Sequence, residues 1–137
     1  MRSISEIAQD IRDHLTSGGF GLVRLSQSAA SPQLLTEIRA LPANRLPAVV
    51  IVVDSGQFDE HVRSRSIGIT LVLVDKFVAG SDERALSVWS ALDNLQRLFP
   101  PDSIELAGVN YLPRQFYMAT ADPQYVSIAL QLDAMDN

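Results

Sequence analysis

The side chains best suited to acid–base or metal chemistry are few in this sequence. Its two histidines are His14 and His61, and the second closes the run Asp59-Glu60-His61. Two carboxylates and an imidazole can in principle bind a metal or move a proton. Adjacent residues in a turn rarely point to one centre, however, and metal ligands on a helix prefer spacings of three or four. We therefore expect a solvated loop at this cluster, and an ordinary position near a helix end for His14.

Two further acids follow hydrophobic runs, where the acids of nuclease sites are often found. Asp54 and Asp75 each end such a run, and Lys76 comes directly after Asp75. An acid-x-lysine pattern would need an acid at position 74, which is Val74. We therefore expect these acids to face solvent at the ends of strands. A metal-dependent hydrolase built on Asp54, Asp59 and Asp75 stays an alternative, and it predicts that Mg²⁺ or Mn²⁺ stabilises the protein against thermal unfolding.

Other catalytic patterns are missing from the sequence. It has no cysteine, no Gly-x-Ser-x-Gly elbow, no Walker loop and no histidine pair at helical spacing. The glycines of Gly18-Gly19-Phe20-Gly21 follow a helical pattern and precede a strand, which is the reverse of a phosphate-binding arrangement. We therefore predict a protein that is not an enzyme and that uses no cofactor and no metal.

Composition limits the class of protein further. The chain of 137 residues is 47% hydrophobic and 20% charged, which predicts one folded domain over residues 1–137. Its net charge of −5 is the wrong sign for sequence-specific nucleic acid binding. We also expect no secretory signal, and no apolar run reaches the roughly twenty residues of a membrane span.

The elements that must position these residues begin with helices. Ser3 and Glu6 have capping-box spacing, so a helix is predicted over Ile4–Leu15 and is expected to stop at Gly18-Gly19. A short strand should cover Phe20–Leu25. Ser31-Pro32 could cap and open a second, short helix, although the stretch up to Pro47 could equally be irregular.

A hairpin is predicted in the middle of the chain. Ala48–Val53 is apolar at every position, as in a strand covered on both sides, and a turn is expected over Asp54–His61. Val62–Asp75 then resumes an extended pattern, with Ile67, Ile69, Leu71 and Leu73 on one side. The polar end of this hairpin should extend beyond the core, as contact-forming arms do.

The last third of the sequence predicts a long helix and further strands. Ser81 caps a helix that runs to Phe99, and its wide apolar stripe, with Leu86 and Trp89, is expected in the core. Extended segments should follow over Ile104–Leu112 and Tyr125–Leu132, with an interruption at Pro113-Arg114. The last strand should have one solvent-facing side, which carries Tyr125, Ser127 and Gln131. The aromatic side chains Tyr111, Phe116, Tyr117 and Tyr125 favour packing or subunit contacts over base stacking.

These elements predict an α+β fold. Helices and strands are interspersed without strict alternation, which favours a mixed, largely antiparallel sheet flanked by two main helices on one face.

The order of elements resembles that of small tail proteins of contractile-tailed phages. The residues that carry the likeness are the capped helix from Ile4, the strand after Pro47, the run Ile69–Asp75, the break Ala79–Asp82 and the helix with Val88-Trp89 and Leu92. The pattern is most similar to the Mu-type tail terminator group, and it covers the chain from about Ile4 to Leu132.

The resemblance implies a ring-forming subunit. Tail terminators of this kind form a hexameric ring at the head-proximal end of the tail, stop tube growth and offer a surface to the head connector. The expected partners are further copies of the chain, the tail tube and head-connector proteins, with the host cytoplasm as the site of assembly before the virion tail. An acidic ring lumen would repel DNA and let it slide through.

The expected subunit interface is the hairpin tip. Gln57, Phe58, Arg63 and Arg65 are the candidate residues, with Phe58 as an apolar anchor and the two arginines as partners for acids on a neighbouring subunit. An alternative function is a small adaptor or chaperone-like binding module, which would form a stable dimer with an exposed apolar groove.

Overall fold

Three α-helices and a six-stranded mixed sheet make up the computed structural model, which describes residues 2–28, 30–59, 64–119 and 122–136. The predicted α+β class is confirmed. The helices are α1 (Ile4–Ser17), α2 (Ser31–Arg39) and α3 (Asp82–Leu98), and a 3₁₀ turn covers Ala43–Arg45. The strands are β1 (Val23–Leu25), β2 (Ala48–Asp59), β3 (Ser64–Lys76), β4 (Ile104–Leu106), β5 (Val109–Met118) and β6 (Tyr125–Asp136).

The sheet has the strand order β1-β2-β3-β6-β5-β4. β1 pairs with β2 in parallel, and every other neighbouring pair is antiparallel. The three long pairings β2–β3, β3–β6 and β6–β5 form the centre of the sheet. Because each of these steps reverses the direction, β2 and β5 run in opposite directions on the two sides of the sheet.

The first helix forms as its sequence predicts. The Ser3 hydroxyl accepts a hydrogen bond from the Glu6 amide at 3.1 Å, and the Glu6 carboxylate accepts one from the Ser3 amide. The helix ends at Gly18, where a side chain would not fit because a Cβ would lie 2.4 Å from a methyl group of Leu98. Gly19 follows with a φ of +109°, which L side chains rarely adopt. The predicted glycine stop is therefore confirmed.

Two apolar layers cover the two faces of the sheet. On one face, which we call the two-helix face, α1 and α3 bury the row Ile67, Ile69, Leu71 and Leu73 of β3. On the other, the one-helix face, Ile38 and Leu41 of the α2 region pack on Val50, Val72 and Val74. The two main helices, α1 and α3, lie on one face as expected. The short helix α2 lies on the other face, because β2 and β3 are apolar on both sides and each side must be covered.

The turn predicted over Asp54–His61 was wrong over most of its length. Strand β2 continues to Asp59 and pairs with β3 through Gln57–Ser66, Phe58–Arg65 and Asp59–Ser64. A bulge between Val53 and Ser55 accommodates the polar run without ending the strand. Glu60, His61, Val62 and Arg63 lie outside the described residues.

The second main helix is capped by Ser81 as predicted, but its apolar stripe is wider than the surface it covers. Val88, Leu92, Leu95 and Leu98 are buried against the sheet. Leu86 and Trp89 are 60% and 57% exposed, so their predicted place in the core was wrong. Trp89 lies on the flank of the helix, next to the buried row, and the helical repeat places Leu86 on the side opposite that row.

Three smaller predictions needed correction. The N-cap of α2 is Ala30, so Ser31 is the first helical residue and not the cap. Pro113 does not end a strand, because β5 runs through it with a bulge, whereas a tight turn at Ala107-Gly108 divides the segment predicted over Ile104–Leu112. The side of β6 that was predicted to face solvent does so only from Gln131 onward, because Ser127 is buried.

Candidate subunit interface

The predicted hairpin tip is an extension of the sheet. Gln57 and Phe58 lie in the outer half of β2, and the Phe58 side chain is 74% exposed, the largest exposure among the large apolar residues described. Phe58 pairs with Arg65, which shares a strand face with Ile67 and Ile69 because side chains alternate. Phe58 therefore lies on the two-helix face, beyond the helices. Arg63, the fourth candidate, lies outside the described residues.

Arg65 is already paired within the chain. Its guanidinium lies 2.7 Å from the Asp136 carboxylate and also donates to the backbone carbonyl of Arg2. The two side chains are only 11% and 6% exposed. The Arg2 amide donates to the same Asp136 carboxylate at 2.9 Å, and the Arg2 side chain pairs with Asp10. Arg65 thus holds the two ends of the described chain together, and Gln57 and Phe58 are the candidate residues that the structure leaves exposed.

One side of the sheet is open along the outer half of β2. Strand β1 pairs only with Val49–Ile51. Beyond this point, among the residues that the structure describes, no strand lies against the outer edge of β2 as far as Asp59. The backbone groups of this edge are therefore available to another strand.

The opposite side of the sheet is open along β5. Strand β4 pairs only with Val109–Tyr111, and in the described part of the chain the rest of β5 has no outer partner. This stretch is also apolar: Phe116 is 53% exposed and Met118 66% exposed, and Tyr117 between them is 44% exposed. A long apolar edge strand is unusual in a protein that stays monomeric, because it templates pairing with another chain. The expectation that Phe116 and Tyr117 lie at a contact surface remains open, whereas Tyr111 is fully buried in the core.

A groove lies beside the β5 edge on the two-helix face. It has a volume of about 460 Å³ and lies between the end of α3 and β5. Its apolar walls come from Phe99, Pro101, Pro113, Phe116 and Leu130.

The one-helix face is polar where α2 does not cover it. Residues of four adjacent strands line a single depression here, so the sheet is concave on this side. Asp54 accepts a hydrogen bond from Thr70 at 2.5 Å, and Gln115 donates to Gln131 at 2.6 Å. Gly68 permits this arrangement, because a Cβ there would lie 2.1 Å from the Ser55 hydroxyl. We call this surface the concave face.

Two of the three acids considered for hydrolysis, Asp54 and Asp75, are not brought together. Asp54 lies on the concave face, near Thr70. Asp75 follows five residues later on β3, roughly 17 Å along the strand, and it faces the other side, where it is buried 3.6 Å from Arg84. These two acids cannot bind one ion. Among the described residues, no group of three or more histidine or acidic side chains could hold a metal.

Of the two histidines in the sequence, the structure describes His14. The His14 ring lies 2.7 Å from the Leu98 carbonyl oxygen and packs edge-on against Phe99, so it joins the ends of α1 and α3. Asp59, the first residue of the Asp59-Glu60-His61 cluster, is the last residue of β2, so the predicted loop was wrong there. Glu60 and His61 are outside the described residues, and for them the loop stays a prediction.

The sequence pattern did not indicate two exposed apolar residues, one on the β5 edge and one at the start of α3. Met118 lies on the β5 edge, and its sequence signal is the run Phe116-Tyr117-Met118, which breaks the alternation expected of a half-buried strand. Trp89 was assigned to the core, but it lines a cleft with Phe77 and Val78 at the start of α3.

Neither a family model nor a curated protein matches this chain. In the described residues, no helix combines the length and the apolar character that crossing a membrane requires.

Proposed function

We propose that this chain is a structural subunit of the tail-terminator kind, which assembles into a ring at the head-proximal end of a phage or prophage tail. The observation that carries the proposal is the pair of open sheet edges, β2 on one side and β5 on the other. Each edge bears an exposed aromatic side chain, Phe58 or Phe116.

Edges of different composition on opposite sides suit a head-to-tail contact. Such a contact repeats from copy to copy and produces a closed ring when the rotation between copies closes. It would also bury apolar side chains that the single chain exposes. The proposal therefore accounts for the edges and for the exposed aromatics by the same assembly.

The proposed role is mechanical, not catalytic. The ring would end tube growth and present a surface to the head connector, first in the host cytoplasm and then in the virion tail. The net charge of −5 per subunit would disfavour DNA adhesion as DNA passes through the ring.

Deletion of the gene from a phage or prophage that carries it tests this role. We expect electron micrographs to show tails of uncontrolled length and heads without tails, and expression of the chain in trans to restore joined particles. Tails of normal length joined to heads in the deletion strain would contradict the proposal.

The adaptor alternative predicts a different symmetry. A binding module would form a twofold dimer in which the same edge of both copies is used. The apolar cleft at Trp89 and Phe77 is the feature that favours it. A stable dimer that does not grow with concentration would support the adaptor over the ring.

A further inference from the structure

We infer that the outer half of β2 of one copy pairs, antiparallel, with the outer half of β5 of the next copy, and that Phe58 enters the groove between β5 and α3. The occupant of the β5 edge is thus a second copy of this chain. This inference rests on the proposed ring and specifies the contact that would build it.

The directions and lengths of the two edges match. β2 and β5 run in opposite directions within one sheet, so a neighbour that continues the sheet presents its β2 antiparallel to β5. Each edge segment starts after a bulge, at Ser55 in β2 and at Gln115 in β5. Ser55–Asp59 and Gln115–Met118 are therefore five and four residues of regular strand. Pro113, which has no amide hydrogen to donate, lies outside the paired stretch.

The side-chain faces set the register. Phe58 lies on the two-helix face, and so does Phe116, because it pairs with the buried Leu130. Cross-strand neighbours must share a face. Placing Phe58 opposite Phe116 therefore puts two aromatic rings side by side over the apolar groove, and it puts Gln57 opposite Tyr117 on the concave face.

The charges on the edge strands disfavour the pairing of two β2 edges. The segment Asp54–Asp59 contains two acids and no basic residue, whereas β5 contains Arg114 and no acid. Pairing β2 with β2 would bring acids together. Arg114 is already paired with Asp133 within the chain, so β5 adds no unpaired charge to the contact. Like charges on opposing strands are destabilising. The β2–β5 contact avoids this repulsion.

Disulfide cross-linking tests the contact, because the natural chain has no cysteine. Gln57→Cys and Tyr117→Cys are prepared as separate proteins, mixed and oxidised. We expect covalent dimers in the mixture and none from either protein alone. Gln57→Cys mixed with Met118→Cys is the matched control, because its two thiols would lie on opposite faces and both Phe58 and Phe116 are retained. We expect the double variant Gln57→Cys, Tyr117→Cys to form a covalent ladder that ends at the ring.

The outcomes separate this inference from the proposed function. Cross-linking of either single variant with itself, or equal cross-linking in the control mixture, would overturn the β2–β5 contact. So would the absence of cross-links under conditions in which the unsubstituted chain forms rings, and the proposed function would then survive. No cross-links together with no assembly would overturn both.

A substitution without cysteine gives an independent test. Burial of one aromatic side chain accounts for roughly a ten- to hundredfold change in an association constant. We expect Phe58→Ala to raise the concentration needed for assembly by about that factor. Phe77→Ala, which removes a ring that is 52% exposed but lies on neither edge, should leave assembly unchanged. Equal effects of the two substitutions would contradict the inference.

Discussion

The Arg65–Asp136 ion pair allows the intrachain role of Arg65 to be tested against the interface role expected from the sequence. The two charged groups lie 2.7 Å apart, and both side chains are almost completely buried. Replacing Arg65 with Met leaves the Asp136 carboxylate buried with the backbone amide of Arg2 as its remaining polar contact among the described residues. Breaking one side of a buried pair costs about 3 to 5 kcal/mol.

Urea unfolding of a double-mutant cycle measures this cost. With a slope of about 2 kcal/mol per molar, a loss of about 3 kcal/mol lowers the midpoint by roughly 1.5 M. We expect a loss of this size for Arg65→Met and a comparable loss for Asp136→Leu. The double variant should recover most of it, because an apolar pair leaves no buried charge unpaired.

The reasoning would be refuted by a loss below about 0.5 kcal/mol for Arg65→Met, or by losses that simply add in the double variant. If Arg65→Met instead weakened assembly and left the free energy of unfolding unchanged, Arg65 would be the subunit contact that the sequence predicts.

Two further predictions concern stability within one chain. The Gln124 backbone amide and the Arg39 side chain hold the pKa of the Asp122 carboxyl below its usual range. The stability that this lowered pKa gives is fully present above the unfolded-state pKa of about 4, and it is lost as the pH falls from there through the lower folded-state pKa. Asp122→Asn should therefore flatten the acid-side decline of urea midpoints, and an unchanged decline would contradict this. Gly18→Ala should lower the free energy of unfolding by about 1 to 3 kcal/mol, because its Cβ would overlap a leucine of α3. The control Gly21→Ala, whose Cβ meets nothing within 4 Å, should change thermal unfolding little. Equal effects of the two substitutions would refute this packing argument.

Local patterns were sufficient for the parts of the fold that local chemistry decides. The capping box at Ser3, the glycine stop at Gly18, the cap at Ser81 and the apolar strand after Pro47 were all predictable, because each depends on neighbours in sequence. Long-range pairing decided the rest. The polar run after Asp54 is a strand only because β3 offers it a partner, and no pattern within Asp54–Asp59 shows that.

The candidate interface was predictable in the same partial way. Phe58 could be singled out as an apolar residue in a polar arm, and the structure leaves it exposed. Arg65 could not be placed, because its partner Asp136 is 71 residues away and the sequence does not show that β6 pairs with the start of β3. The open edge of β5 was also out of reach, because an edge is a property of strand order, not of any one strand.

The mass of the assembled protein in solution tests the central claim most directly. Light scattering over a range of concentrations up to about 1 mM, followed by negative-stain imaging of the largest species, would show the oligomeric state and its symmetry. The account predicts one dominant species of several subunits, with class averages that show a closed ring around an open centre. A protein that stays monomeric throughout the range, or that stops at a twofold dimer, would contradict it.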